Sequence, residues 1–376
     1  MKDSMEKTFE RMNITQFQHN LISWFIKEQR DLPWRKDSNP YKVWVSEIML
    51  QQTKVDTVIP YYDRFLEKFP TIETFAAADD ESVLKIWEGL GYYSRVRNLH
   101  SAVKEVVANY GGSVPDTPEE ISKLKGVGPY TAGAVLSIAY GKPEPAVDGN
   151  VMRVLSRILL IREDIAKAST RKVFETAVRE LIDHDHPSYF NQALMELGAL
   201  ICTPTSPACL LCPVREHCSA FAEGVQSELP VKTRKKKTRH VDLVAAVLKN
   251  DKEEFIIRKR PNKGLLASLW EFPIVERNSQ FEQSKLALAS YLKQDLQLDT
   301  NLENGAFIKV DHVFTHLTWT IDAFAGEIDG MVKGDNGYIL VTKKELEEYA
   351  FPVSHQKIWK AYKKHSKNDT ERFIDK

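Results

Sequence analysis

The sequence predicts two domains, an all-α domain followed by an α+β domain. Length is the first reason: 376 residues exceed one ordinary core and suit two of unequal size, each able to fold without disulfide staples. A change of texture near residue 230 is the second. Before it, apolar residues recur at helical spacing, and after it, two-residue alternation and hairpin signals take over. Four cysteines confined to one short stretch just before that change are the third. The domains are expected at 8–230 and 241–365, joined by a basic linker at 231–240.

Along the first domain, Ile14, Phe17, Leu21 and Trp24 mark one helix. Val83, Leu84, Trp87 and Leu90 mark a second, and Val151, Val154, Leu155 and Ile158 a third. Helix starts are signposted. In "TPEE" at 117–120, Thr117 is expected to cap, Pro118 to occupy the first turn and Glu120 to complete a capping box. "LPVKTRKKKTRH" then carries charge without apolar period and reads as a solvated linker able to graze a phosphate backbone. Beyond it, "LVAAVLKNDKEEFIIRKR" predicts a hairpin, "LTWTIDAF" a strand and 282–293 a helix. Two capped helices are expected to start at Thr342 and Ser354.

Composition narrows the function classes. Apolar residues at 43% and charged ones at 28% describe a globular chain rather than a disordered one. Lys+Arg 52 balances Asp+Glu 52, so net charge alone gives no reason to expect a nucleic-acid partner. No apolar run is long enough to span a bilayer, and the first residues resemble neither a signal nor a transit peptide. The expectation is an intracellular protein with no membrane partner. Cys202, Cys209, Cys212 and Cys218 have the spacing C-x6-C-x2-C-x5-C, and no other cysteine exists. An intracellular thiol pool disfavours disulfides, so four thiolates in one loop point to a metal centre, zinc or 4Fe-4S by this spacing alone.

"LKGVGPYTAGAV" at 124–135 reads as a helix-hairpin-helix. Gly126 ends one helix in a left-handed conformation, Gly128 allows close backbone approach, and Pro129 starts the next helix. Exposed turn amides and a helix N-terminus then form a seat for a phosphate.

This hairpin, the following "VDGNV" and the cysteine loop occur in the order found in the endonuclease III superfamily of DNA glycosylases. "LPWR", "SEIMLQQT", "WEGLGYYSRVRNL", "VDGNVMRVLSR" and "FPVSHQ" narrow the resemblance to the adenine DNA glycosylase (MutY) family, over about residues 14–362. The resemblance implies a 4Fe-4S cluster on the four cysteines and double-stranded DNA as partner. It also implies hydrolytic removal of adenine mispaired with 8-oxoguanine or guanine, by a monomer of bacterial, cytoplasmic, nucleoid-associated type.

That chemistry calls for two carboxylates. Adenine leaves once a ring nitrogen is protonated, and the departing sugar gains oxocarbenium character that an anion stabilises. By motif position, Glu47 resembles the general acid and Asp148 the stabilising carboxylate, with Tyr130 and Asn150 beside Asp148. Apolar neighbours Trp44, Ile48 and Leu50 would keep Glu47 protonated near neutrality. Tyr130 stands where bifunctional relatives carry a Schiff-base lysine, which implies a monofunctional enzyme. Gln52, Leu90 and Tyr92 match wedges that enter the duplex during base flipping, and Arg30, Trp34 and Gln192 match an adenine pocket. The second domain resembles the Nudix (MutT) fold, but "KLALASYLKQDLQL" lacks that fold's glutamate array. In this family it reads 8-oxoguanine through a Phe-Ser-His loop, represented here by Phe314, Thr315 and His316.

Overall fold

The computed structural model describes residues 9, 12–233, 239–277, 284–329 and 337–374. Part of the expected linker (234–238) and the expected helix start at 282–283 lie outside these. The chain separates into two compact units, Met1–Ala77 with Asn98–Lys235, and Ala78–Arg97 with Lys236–Lys376.

Among its described residues the first unit is helical throughout. Its helices include α1 (Ile14–Glu28), α2 (Pro40–Leu50), α3 (Val55–Lys68) and α4 (Ile72–Ala76). α5 (Asp80–Ile86) belongs to the second unit, and the boundary falls inside α6 (Ser94–Asn109). α7 (Pro118–Ile121), α8 (Pro129–Tyr140), α9 (Gly149–Ile158), α10 (Thr170–Leu181), α11 (Pro187–Leu200) and α12 (Ser219–Ala222) complete the first unit. The apolar period seen in sequence is the buried stripe. Phe17, Leu21 and Phe25 of α1 pack in one core with Val151, Val154, Leu155 and Ile158 of α9 and with Phe190 and Leu194 of α11. Ile14 and Trp24 lie at its margin.

Caps follow the local chemistry. Asn39 accepts from the Lys42 amide at 3.2 Å ahead of Pro40, starting α2. Thr117 caps α7, but Glu120 accepts from the Thr117 hydroxyl at 3.1 Å instead of reaching the Thr117 amide, so the expected box is incomplete. Gly126 has φ +82°, and a Cβ there would lie 2.7 Å from Asn98 Cβ, so both conformation and space demand glycine. α8 then starts at Pro129 with Gly128 as N-cap.

In the second unit eight strands form one mixed sheet: β1 (Arg239–Lys249), β2 (Phe255–Lys259), β3 (Trp270–Glu271), β4 (Ile274–Glu276), β5 (Asp299–Leu302), β6 (Ile308–Val313), β7 (Leu317–Asp329) and β8 (Tyr338–Val341). β1 and β2 form the expected hairpin, while β1 and β7 run parallel at its centre, Arg239 opposite Leu317. β1 begins two residues earlier than the expected boundary at 241. Alternate residues of β1 serve opposite faces. Val244, Ala246 and Leu248 pack with Leu288 and Leu292 of α13 (Ser284–Leu296), whereas Leu243, Ala245 and Val247 share a core with Ile358 and Trp359 of α15 (Val353–Ile374). Thr342 caps α14 (Lys343–Leu346) with a complete capping box. Ser354, expected as a cap, lies inside α15, which starts at Val353.

Residues 78–97 lie within the span of the helical domain and make their contacts with the sheet. Polar bonds explain this: Lys85 Nζ donates to the Tyr349 carbonyl at 2.9 Å, the Phe351 amide to Glu88 at 2.7 Å, and Trp270 Nε1 to Glu81 at 3.0 Å. No described helix is long and apolar enough to cross a membrane.

Candidate active site

One cavity of about 540 Å³ in the first unit gathers residues that lie far apart in sequence. Arg30, Trp34, Glu47, Gln52, Tyr130, Asp148, Asn150 and Gln192, all singled out from sequence, line it. α2 supplies Glu47, α8 supplies Tyr130 at its first turn, and the start of α9 supplies Asp148 and Asn150.

Glu47 is 5% exposed, and burial is the main reason its carboxyl is pushed up to about 7. The nearby charge of Asp148 raises it further, while a bond from Tyr130 and the charge of Arg35 pull the other way. The motif position places the Tyr130 hydroxyl beside Asp148. It donates to Glu47 instead, and lies 3.5 Å from Met195 Sδ.

Asp148 is the N-cap of α9. Its Oδ1 accepts from the Val151 amide at 2.7 Å and its Oδ2 from Asn150 Nδ2 at 2.9 Å. Burial raises its carboxyl above the ordinary range, while those bonds and the charge of Arg153 oppose the rise. The capping role and the cavity position therefore coexist in one side chain. Its approach segment is tightly fixed. Asn191 donates to the Glu144 carbonyl at 2.8 Å and accepts from the Ala146 amide at 3.3 Å, and a Cβ on Gly133 would lie 1.9 Å from the Pro145 oxygen.

Sequence reasoning missed a charged network at one side of the cavity. Glu196, 1% exposed, accepts from Arg30 Nη2 at 2.8 Å and Arg35 Nη2 at 3.0 Å. Burial alone would raise its carboxyl, but the two guanidinium groups outweigh this and bring it down to about 2. Arg35 Nε also donates to Gln192 Oε1 at 3.2 Å. Arg30 thus spends its guanidinium partly on Glu196. The available signal was a lone carboxylate inside the apolar "ALMELGAL". A second missed residue is Arg153, which donates to Asn150 Oδ1 and the Gly198 carbonyl at 2.8 Å each and to the Cys202 carbonyl at 2.8 Å. It connects the partner of Asp148 to the cysteine loop.

The wedge candidates divide. Gln52 has φ +58° and Tyr92 φ +46°, sparsely populated conformations for such residues that cost about 1–3 kcal/mol each and gather at functional sites. Tyr92 is 47% exposed, whereas Leu90 is 6% exposed and packed inside, because its amide turns back to the Trp87 carbonyl. Gly128 has open space where a Cβ would be, so its backbone is accessible.

Cys202, Cys209, Cys212 and Cys218 carry free thiols and line one small cavity walled by Val154, Ile158, Leu197 and Phe221. Burial, with the other cysteines adding to it, pushes Cys212 up to about 12 and Cys218 to about 11. Gathering four thiols in one loop, with Cys209, Cys212 and Cys218 each held above the ordinary thiol range by burial, suits a bound metal centre, which supplies the missing positive charge. Arg157 Nη1 adds a donor 3.2 Å from Cys202 Sγ.

In the second unit Phe314, Thr315 and His316 occupy the turn of the β6–β7 hairpin, where Val313 pairs with Thr318. Phe314 is set edge-on against Trp319 at 4.9 Å and His312 at 4.5 Å, leaving Thr315 and His316 exposed. These three residues, Tyr92 and Arg97 line a cavity of about 780 Å³, and Tyr92 Oη lies 3.2 Å from Thr315 Oγ1.

A helical unit with a glycine hairpin, a buried carboxylate and a half-buried one in a single cavity, followed by a mixed-sheet unit, defines a base-excision DNA glycosylase carrying a Nudix-like domain. Residues 45–180 match the HhH-GPD superfamily of base excision DNA repair proteins, and residues 244–361 match the NUDIX domain. The chain is 36% identical to the adenine DNA glycosylase of Rattus norvegicus, covering 94% of this chain and 79% of that one. With the Schizosaccharomyces pombe adenine DNA glycosylase it shares 34% identity, over 90% of this chain and 88% of the relative. A solved thermostable thymine-DNA glycosylase aligns with a TM-score of 0.50 and 28% identity, over 56% of this chain and 97% of that structure. The chain belongs to the adenine DNA glycosylase family: it is a base-excision repair N-glycosylase whose substrate is DNA.

Proposed function

We propose that this chain removes adenine mispaired with 8-oxoguanine or guanine, as a monofunctional glycosylase acting as a monomer. The observation that carries the reading is the pairing of Glu47, pushed up to about 7, with a hydrogen-bonded Asp148 on one cavity wall. An acid whose proton is held toward neutral pH and a second carboxylate fixed by hydrogen bonds are the two groups that N-glycosidic hydrolysis needs.

In this mechanism the extruded adenine occupies the cavity between Arg30, Trp34 and Gln192. Glu47 gives its proton to a ring nitrogen of adenine, the bond from the sugar C1′ to the base breaks, and its electron pair leaves with the base. Asp148 stabilises the cationic or covalent sugar intermediate, and water then adds at C1′, returning a proton to Glu47. Tyr130 holds Glu47 by its hydrogen bond and offers no amine for Schiff-base chemistry, so the strand stays uncut. Asn150 holds Asp148.

The four cysteines fit a 4Fe-4S cluster. All four cysteines line one cavity, and the resemblance to the endonuclease III superfamily favours a 4Fe-4S cluster over a single zinc there. When bound, such a cluster would cross-link the loop. Gln52 and Tyr92 would enter the duplex, with Gly126 and Gly128 gripping its backbone. Phe314, Thr315 and His316 would read 8-oxoguanine, whose N7 hydrogen suits the Thr315 hydroxyl as acceptor.

A duplex carrying adenine opposite 8-oxoguanine tests this directly. Strand breaks appearing only after alkali support hydrolytic, monofunctional excision. Breaks without alkali would indicate a lyase, and an intact strand under both conditions would remove the enzymatic reading.

A further inference from the structure

Three arginines line the catalytic cavity, Arg30, Arg35 and Arg171. The first two share the Glu196 carboxylate. Arg171 is half-buried in the first turn of α10 and forms no ion pair among the described residues. Its Nη1 donates to the Val147 carbonyl at 2.9 Å, one residue before Asp148.

A guanidinium has five N–H donors and a charge that stays on in proteins. One bond to a neutral carbonyl aims the group without neutralising it. A bare cation here opposes the reaction proposed above, because positive charge develops on the sugar beside it. An anion arriving with the substrate would resolve that conflict. Any nucleotide swung out of a duplex carries two flanking phosphodiesters toward the pocket that takes its base, and the planar fork of arginine binds phosphate in a bidentate manner.

We propose that Arg171 binds a phosphodiester flanking the extruded adenosine and thereby seats the sugar against Asp148. The proposal rests on the adenine-excision reading of this cavity. Its bond to Val147 ties that grip to the backbone carrying Asp148, so the contact aligns the sugar as well as adding affinity.

The test pairs one protein change with one backbone change. Wild type, Arg171→Gln and Arg171→Lys of the full chain are titrated with duplexes containing adenine opposite 8-oxoguanine. The duplexes carry either natural linkages or a neutral methylphosphonate 5′ or 3′ to the adenosine. Arg171→Gln is expected to weaken binding of natural DNA by roughly ten- to a hundredfold. The salt slope should fall by about one, and Arg171→Lys should recover part of the loss. At the contacted position the methylphosphonate should abolish the difference between wild type and Arg171→Gln. Independent, multiplying losses at both positions would overturn the proposal, as would wild-type binding indifferent to either neutral linkage. If wild type excised no adenine, the parent reading would fail separately, because the titration still reports the phosphate contact.

Discussion

Glu47 and Tyr130 make one unit in which the proton needed for catalysis is stored under burial. Glu47→Gln keeps the shape and removes the proton, so single-turnover excision is expected to fall by roughly 10²- to 10⁴-fold with DNA binding retained. An unaltered rate would take Glu47 out of the mechanism. The pH dependence has a definite sign. The acid form is present below a pKa of about 7 and is lost as pH rises through it, so excision should decline on the alkaline side of about 7. Asp148 must be ionised, and its carboxyl is raised by burial, so an acid limb should lie above the ordinary aspartate range. Tyr130 lowers the Glu47 value through its hydrogen bond. Tyr130→Phe should therefore move the alkaline limb to higher pH, and a limb moving downward would contradict the assignment.

At the scale of elements, α8, α9 and the segment between them hold the anion in place. Gly133 lets the Pro145 backbone lie against α8, at a distance that leaves no room for a methyl group. Gly133→Ala should lower unfolding stability by about 3 kcal/mol or more and take excision with it. A variant melting like wild type would mean the segment yields freely. α9 carries Asp148 at its N-cap and Asn150, Arg153 and Arg157 along its length, so one helix serves both the cavity and the cysteine loop. Its apolar stripe and the positions of Asp148 and the four cysteines were legible in sequence. The carboxylate roles, in contrast, came from motif resemblance, since an isolated Asp before "GN" signals only a helix cap. Glu196 and its two arginines were illegible because the partners are separated by more than a hundred and fifty residues and no local pattern links them. Leu90 matches a wedge by motif alone, and in this structure it is 6% exposed. Tyr130 lines the cavity, and the direction of its hydroxyl depends on the packing of α2 against α8, which sequence does not give.

Over the whole molecule, the strand signals and the change of texture gave the two-part organisation, while the bonds that residues 78–97 make to the sheet have no sequence signal. That segment pairs with Trp270, Tyr349 and Phe351 through side-chain bonds that have no sequence periodicity. Cutting the chain after residue 230 would strip those bonds, so point changes test the second unit more cleanly. Thr315→Ala with His316→Ala should leave excision opposite guanine largely intact. It should reduce the preference for 8-oxoguanine by roughly one to several orders of magnitude, given about 1–3 kcal/mol for a good base-directed contact. The ratio of the two excision rates below enzyme saturation measures this, and an unchanged ratio would move recognition of the oxidised base elsewhere.

The central claim is that a fixed anion at Asp148 makes adenine leave. Single-turnover excision opposite 8-oxoguanine, measured for the intact chain and for Asp148→Asn alongside the Kd of each for the same duplex, tests it most directly. Asparagine keeps the size and much of the hydrogen bonding of this helix cap while removing the charge. The account predicts a Kd within a few-fold of wild type and a rate at least about a hundredfold lower. Excision near the wild-type rate by the folded, DNA-binding variant would contradict it.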